Sequence, residues 1–178
     1  WTEDEKSVDS DVYYGGGGPA IVDLIAILPN LVDQFSDTQE DSDWSGRLGL
    51  DYSLNDDSLW FASISRGNKA GGYVANLNGF PIGSEDRRFD PEVLTSFEAG
   101  FKQSNLFGGR ARLNGSVFYY DYSDYQAFDF QGLAAFIRNR DATVSGGELE
   151  LAASFNNGWD LLLGAAFLFD ATVENVVI

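Results

Sequence analysis

The sequence predicts an all-β, antiparallel sheet of the kind that crosses a membrane as part of a barrel. Three observations carry that prediction. Apolar and polar residues alternate with period two through six stretches between Trp44 and Phe169. Tight turns rich in Asn, Asp and Gly alternate with long polar links. Aromatic rings gather at the two ends of the alternating stretches.

The alternation is read stretch by stretch. "WSGRLGLDYSL" sets Leu48, Leu50, Tyr52 and Leu54 against Arg47, Gly49, Asp51 and Ser53. In "SLWFASISRG" the pattern is less clean and favours Trp60, Ala62 and Ile64 on the apolar face. "VLTSFEAGFKQ" opposes Phe97, Ala99 and Phe101 to Ser96, Glu98, Gly100 and Lys102. "GGRARLNGSVFYYDYSDY", residues 108–125, is apolar at Ala111, Leu113, Gly115, Val117 and Tyr119 and begins charged on the other face. "GELELAASF" sets Leu149, Leu151, Ala153 and Phe155 against Glu148, Glu150 and Ser154. "WDLLLGAAFLF" places Trp159, Leu161, Leu163, Ala165, Phe167 and Phe169 together.

Short turns are expected at 55–57, 104–109 and 156–158, and long links at 67–92 and 123–142. All the short turns therefore fall on one side. Strands of this length exceed the globular mode of about five to six residues. They match the roughly 9–11 residues that a tilted strand needs to cross a bilayer. Tyr52, Trp60, Phe101, Phe107, Phe155 and Trp159 flank the short turns, and Tyr119, Tyr120, Tyr122, Phe167 and Phe169 lie toward the links. Two such sets form the interfacial belts of a transmembrane barrel. A soluble β-sandwich shares the alternation but accounts for neither the one-sided links nor the double belt.

Charge then decides the faces. An Arg turned to lipid at the bilayer midplane costs about 2–4 kcal/mol. Arg47, Asp51, Glu98, Lys102, Arg112, Glu148 and Glu150 share the face opposite the aliphatic residues, so they are expected to face a polar lumen. Their mixed signs predict salt-bridged ladders between neighbouring strands.

Residues 1–43 read differently. They hold eleven acids and one base, which suits a solvated loop. "GGGG" at 15–18 lacks phosphate-loop spacing and reads as a flexible joint. The apolar run 21–35 is interrupted by Asp23, Pro29 and Asp33 and predicts a short amphipathic helix, too short to span a membrane.

Composition removes several functions. Of 178 residues, 28 are acidic and 11 basic, a formal net charge of −17, which gives nucleic-acid binding no electrostatic footing. There is no Cys and no His, so thiolate chemistry, Ser-His nucleophiles and His-ligated metals have no side chains to use. No enzyme, cofactor or metal site is expected. The opening "WTEDEKSV" has no apolar leader, and the chain reads as a piece of something longer.

"DSDWSGRLGLDYSLNDDSLWFASISRGNKAGGY", "FDPEVLTSFEAGFK", "GRARLNGSVFYYDYSDYQ" and "IRNRDATVSGGELEL" together resemble the barrel of TonB-dependent outer-membrane receptors, over about residues 40–172. Residues 1–7 are similar to the end of a preceding barrel strand, and 8–42 to a variable outer loop. The resemblance implies about six to seven strands of a barrel of roughly 22 strands. It implies short periplasmic turns, long extracellular loops, and strands across 44–172. It also implies a plug, and a TonB-contacting segment, that this stretch does not carry.

The same resemblance implies a parent protein in the Gram-negative outer membrane, among lipid and lipopolysaccharide. That protein is expected to import a scarce nutrient such as a ferric siderophore, with energy delivered through TonB. A porin-like passive channel and a soluble β-sandwich binding module are the alternatives. Arg66, Lys69, Gly71 and Gly72 match a family signature at the outer end of a strand. Glu98, Glu148 and Glu150 match the acidic barrel wall. Arg87, Arg88, Arg138 and Arg140 sit where an anionic chelate would first meet the receptor.

Overall fold

The structure, a computed structural model, describes residues 2–13, 32–74, 87–131 and 134–174. Among them are ten strands and no helix. They are β1 (Thr2–Tyr13), β2 (Val32–Asp43), β3 (Gly46–Asn55), β4 (Ser58–Lys69), β5 (Gly72–Tyr73), β6 (Arg88–Phe89), β7 (Glu92–Leu106), β8 (Ala111–Gln131), β9 (Ala134–Ser154) and β10 (Asp160–Val173). The chain divides into two compact units. One comprises Trp1–Asp43, Lys69–Glu92 and Gln126–Asn139; the other comprises Trp44–Asn68, Val93–Tyr125 and Arg140–Ile178.

The second unit is built on one six-stranded antiparallel sheet in the order β10-β9-β8-β7-β4-β3. The registers confirm the faces read from sequence. Leu48, Leu50 and Tyr52 stand opposite Ile64, Ala62 and Trp60. Phe97, Ala99 and Phe101 stand opposite Tyr119, Val117 and Gly115, and Leu163 stands opposite Leu151. No second layer covers this apolar face among the described residues: Leu48 and Leu50 are 73% and 71% exposed. A sandwich would have buried them. The ten residues of β3, at about 3.3 Å each and tilted near 45°, rise roughly 23 Å. That matches the ~25 Å apolar band of an outer-membrane barrel.

Aromatic rings seated on glycines lock neighbouring strands on both faces. A Cβ on Gly100 would meet the Phe61 ring at 2.6 Å, and one on Gly146 would meet the Phe118 ring at 2.6 Å. On the apolar face, a Cβ on Gly115 would meet the Phe101 ring at 2.8 Å. Each ring covers backbone that the missing side chain would leave bare, and the pairing pins register. In β10 a bulge at Phe169 shifts the pairing so that Asp170 stands opposite Ser145. Asp170, which accepts hydrogen bonds from Thr143 and Thr172 at 3.1 and 2.9 Å, follows the belt on the outward-facing side.

Short turns lie at 56–57, 107–110 and 156–158; β7 continues to Leu106, so the second turn starts later than the expected 104. The Ser104 N–H donates to the Asp57 carbonyl at 2.8 Å, and the Asn105 amide donates to the Asp57 carboxylate at 2.9 Å. Asn105 and Phe107 take positive φ (56° and 53°) ahead of Gly108 and Gly109. Asp57 thus ties two neighbouring turns together.

The long links differ from expectation. Residues 123–131 and 134–142 are strand, so β8 and β9 run 21 residues each, about twice the crossing length. Residues 8–13 and 32–42 belong to an antiparallel hairpin, β1 with β2, rather than to a loop. The expected helix at 21–35 fails at 32–35, which are strand; 21–31 and the glycines at 15–18 lie outside the described residues. In the 67–92 link, β4 continues to Lys69 and β5 pairs with β6, while 75–86 lie outside the described residues. Backbone pairing needs no buried face, so these strands carry a weaker period-two signal than the six-stranded sheet.

The packing makes two outcomes testable in the parent barrel refolded into vesicles. Gly146→Val should lower unfolding stability by about 1–3 kcal/mol in a urea titration. Gly67→Val, where nothing lies within 4 Å of the added Cβ, should stay within about 0.5 kcal/mol. Leu151→Arg should cost about 2–4 kcal/mol or block insertion, while Glu150→Gln should be mild. Equal tolerance at 150 and 151 would mean the faces are exchanged.

Candidate functional site

The polar face of the six-stranded sheet carries all seven charges assigned to it from sequence. Arg47 stands opposite Ser65, Asp51 opposite Phe61, Glu98 opposite Phe118 and Lys102 opposite Asn114. Glu148 and Glu150 stand opposite Ala166 and Gly164. Arg112 lies on the same side, at the short-turn end of β8. The expected salt-bridged ladders are not formed: among the described residues no ion pair joins any two of these groups. Neutral partners intervene. Arg47 donates to the Ser63 hydroxyl at 3.1 Å, and Asn114 donates to Glu150 at 3.4 Å. Lys102 lies 5.8 Å from the Phe61 ring centre. A groove of about 480 Å³ runs over Lys102, Asn114, Ser116, Glu148, Glu150 and Gly164.

The aromatic belts need one correction. Tyr119, Phe97, Phe167 and Phe169 form the outward set, but Tyr120 and Tyr122 have even register and lie on the polar face with Phe118. Phe118 and Tyr120 stack at 4.8 Å and 25°. Tyr122 meets Tyr125 edge to face at 5.5 Å. Consecutive residues on a strand cannot share a face, which the density of rings in "VFYYDY" obscured. At the outer end of the apolar face Trp44 carries the Arg66 guanidinium 4.6 Å above its ring.

In the other unit, side-chain amides bonded to backbone take the place of an apolar core. Gln39 is 1% exposed, and its Nε2 donates to the Asp41 carboxylate at 3.0 Å and to the Phe89 carbonyl at 3.4 Å. Gly71 is wedged there: its N–H donates to Asp41 at 3.2 Å, and its carbonyl accepts from Lys6 at 2.6 Å. A Cβ on Gly71 would meet Gln39 Nε2, so this signature glycine is required by close approach. Buried Gln126 donates to the Ala70 and Asp90 carbonyls at 2.9 and 3.2 Å, and its N–H donates to Glu92 at 2.9 Å. Asn139 closes two bonds with the Asp90 backbone, at 2.8 and 2.9 Å. Lys69 stands 3.9 Å from Glu92. The hydroxyl of Tyr73 is enclosed without a hydrogen-bond partner among the described residues; burial first, and then the nearby Asp37, raises its pKa above 10.0.

The four arginines proposed from sequence are not equivalent. Arg87 is 2% exposed and stacks 5.0 Å over Phe35, so it packs this unit rather than meeting a ligand. Arg88 is exposed and lies 3.9 Å from Asp90. Arg138 pairs with Asp129 at 3.3 Å and covers Phe136. Arg140 is half-buried on β9, two residues from Arg138 and on the same side of that strand. The amides Gln39, Gln126 and Asn139 gave no sequence signal, because a lone amide has neither periodicity nor charge.

Residues 8–176 match the family model described as "TonB dependent receptor-like, beta-barrel". The chain belongs to this TonB-dependent receptor β-barrel family. Among solved structures, this receptor segment is similar to the ferric yersiniabactin uptake receptor FyuA from Yersinia pestis, with 23% identity and a TM-score of 0.57 over 82% of this chain. It is also similar to the copper transporter OprC, with 17% identity and a TM-score of 0.52 over 76%. A third is the ferric-catecholate import receptor Fiu from K12 E. coli, with 15% identity and a TM-score of 0.52 over 93%. The aligned part covers 20%, 21% and 24% of those chains, so this TonB-dependent receptor segment spans about a fifth to a quarter of their length. At these identities the likeness is one of fold.

Proposed function

We propose that this chain is a section of the wall of an outer-membrane receptor that imports a scarce nutrient, a ferric siderophore, with energy supplied through TonB. The family membership carries this reading. Its physical support is a single sheet with one face apolar through its middle, its charges Arg66, Asp121 and Asp170 lying toward one end, and one face charged along its length. The apolar face meets lipid, with Trp44 and Arg66 at the lipopolysaccharide boundary. The charged face lines the lumen against the plug, where Arg47, Asp51, Glu98, Lys102, Arg112, Glu148 and Glu150 have polar partners to meet. The short turns lie in the periplasm, and the long β8–β9 hairpin and the β1–β2 hairpin lie outside the cell. Arg88, Arg138 and Arg140 are the proposed first contacts for an anionic chelate. Cargo iron is substrate.

Uptake of radioactive iron presented as siderophore complexes to iron-starved cells tests the function. Uptake should require both the parent receptor and TonB. Undiminished uptake in cells lacking TonB would replace the receptor with a passive, porin-like channel. Sidedness has a separate check. Cysteine at Phe128, which is 68% exposed on β8, should react on intact cells with an impermeant maleimide, and cysteine at Asn157 should not. The opposite pattern inverts the topology.

A further inference from the structure

An asparagine followed by a glycine carries its own chemistry. The glycine backbone nitrogen can attack the side-chain carbonyl carbon of the asparagine, because no Cβ crowds its approach. The pair occurs in the sequence at 78–79, 114–115 and 157–158, of which 78–79 lies outside the described residues. The other two are the same dipeptide in opposite surroundings.

Asn114 and Gly115 lie within a strand, inside the β7–β8 pairing and opposite Lys102 and Phe101. The Asn114 amide donates to Glu150 at 3.4 Å. The Phe101 ring lies so near that a Cβ on Gly115 would meet it at 2.8 Å. Attack here would require the ladder to open where no water replaces its hydrogen bonds.

Asn157 and Gly158 lie at the tip of the hairpin that joins β9 to β10. The Gly158 N–H donates to the Phe155 carbonyl at 3.1 Å, so Asn156 and Asn157 are the two central residues of the turn. Gly158 takes φ 84°, and nothing lies within 4 Å of the place its Cβ would occupy. Residues 155–159 are all exposed. Asn156 is engaged: with its amide turned to present oxygen, it accepts from both terminal nitrogens of Arg110 at 3.2 Å. The Asn157 side chain has no hydrogen bond among the described residues. One backbone bond alone holds the Gly158 nitrogen back, and exposed turns open at little cost in free energy.

We infer that Asn157 is a site of spontaneous modification, converting without an enzyme to aspartate and isoaspartate. The Gly158 nitrogen gives up its proton to hydroxide and bonds to Cγ of Asn157. The Cγ–Nδ2 bond breaks, ammonia leaves, and a five-membered imide closes. Water then adds to either imide carbonyl and opens the ring, so the net change is amide plus water to carboxylate plus ammonium. Opening on one side gives aspartate; opening on the other routes the backbone through the side chain as isoaspartate. Both products place a new negative charge one residue from the Asn156–Arg110 contact, and isoaspartate also lengthens the turn by one carbon. The inference goes beyond the proposed uptake function and does not depend on what is imported.

The test ages the full parent receptor in detergent at neutral and at mildly alkaline pH, with a second sample unfolded in guanidinium. Peptide mapping by mass spectrometry then reads conversion at Asn157 and Asn114 in the same sample. In the folded receptor Asn157 should convert more than about tenfold faster than Asn114, because only its surroundings open locally. The rate should rise with pH, since the attacking nitrogen must lose its proton. In the unfolded chain the two rates should converge, and Asn157→Gln should abolish the signal at that turn. Equal rates at the two sites in the folded receptor would overturn the inference. So would conversion at Asn157 that appears only after unfolding.

Discussion

In hydrocarbon no water is present to satisfy a backbone N–H or C=O or to solvate a charge, and both requirements fall on every residue of a crossing strand. Sheet pairing answers the first requirement, and strict two-residue alternation answers the second. The rest of the sheet depends on them together. Leu48, Leu50, Leu149 and Leu163 are exposed, with no second protein layer over them among the described residues, as a lipid-facing sheet requires. Arg47, Glu98, Glu148 and Glu150 must all be even or odd in step with their strands, because a one-residue slip anywhere would turn charge to lipid. Register is thus under heavy constraint. The rings of Phe61, Phe118 and Phe101 on Gly100, Gly146 and Gly115 meet it locally, strand by strand.

In the other compact unit the chemistry is different. Its apolar packing is small, with Phe136 buried and Phe35 against Tyr73 and Arg87. Gln39, Gln126 and Asn139 instead supply hydrogen bonds to backbone carbonyls of neighbouring segments. Such bonds are individually modest, about 0.5–1.5 kcal/mol net, but leaving their partners buried and unpaired costs more. The result is a unit whose segments are joined by side-chain amides, although the Oε1 of Gln39 is buried without a partner among the described residues, and Gly71 is fixed by how closely the chains approach.

This division explains what was legible in the sequence. The six membrane-type strands, their faces, the short turns and even the less clean Trp60–Ala62–Ile64 face were readable, because the bilayer writes a period-two pattern. The second halves of β8 and β9 and the β1–β2 hairpin were not, since their apolar residues, such as Phe128, Phe130 and Phe136, are too few and too mixed with charge to set a clear face. "QAFDFQ" looked like a link for that reason. Tyr120 and Tyr122 were misplaced because ring density masks parity where tyrosines are adjacent. Salt-bridge ladders were expected from mixed signs alone, whereas Asn114 and Ser63 stand between the charges. Of the arginines, position near a link was visible in sequence, but the burial of Arg87 against Phe35 was not.

The central claim is that one face of the six-stranded sheet meets lipid and the other meets water. Nitroxide labels placed singly at residues 112–119 of the parent receptor in vesicles measure this directly, through collision with oxygen, which concentrates in lipid, and with a water-soluble nickel chelate. Oxygen accessibility should peak at 113, 115, 117 and 119, with the even positions shielded from it and the nickel signal, where present, confined to them. A flat profile, or peaks at the even positions, would contradict the account.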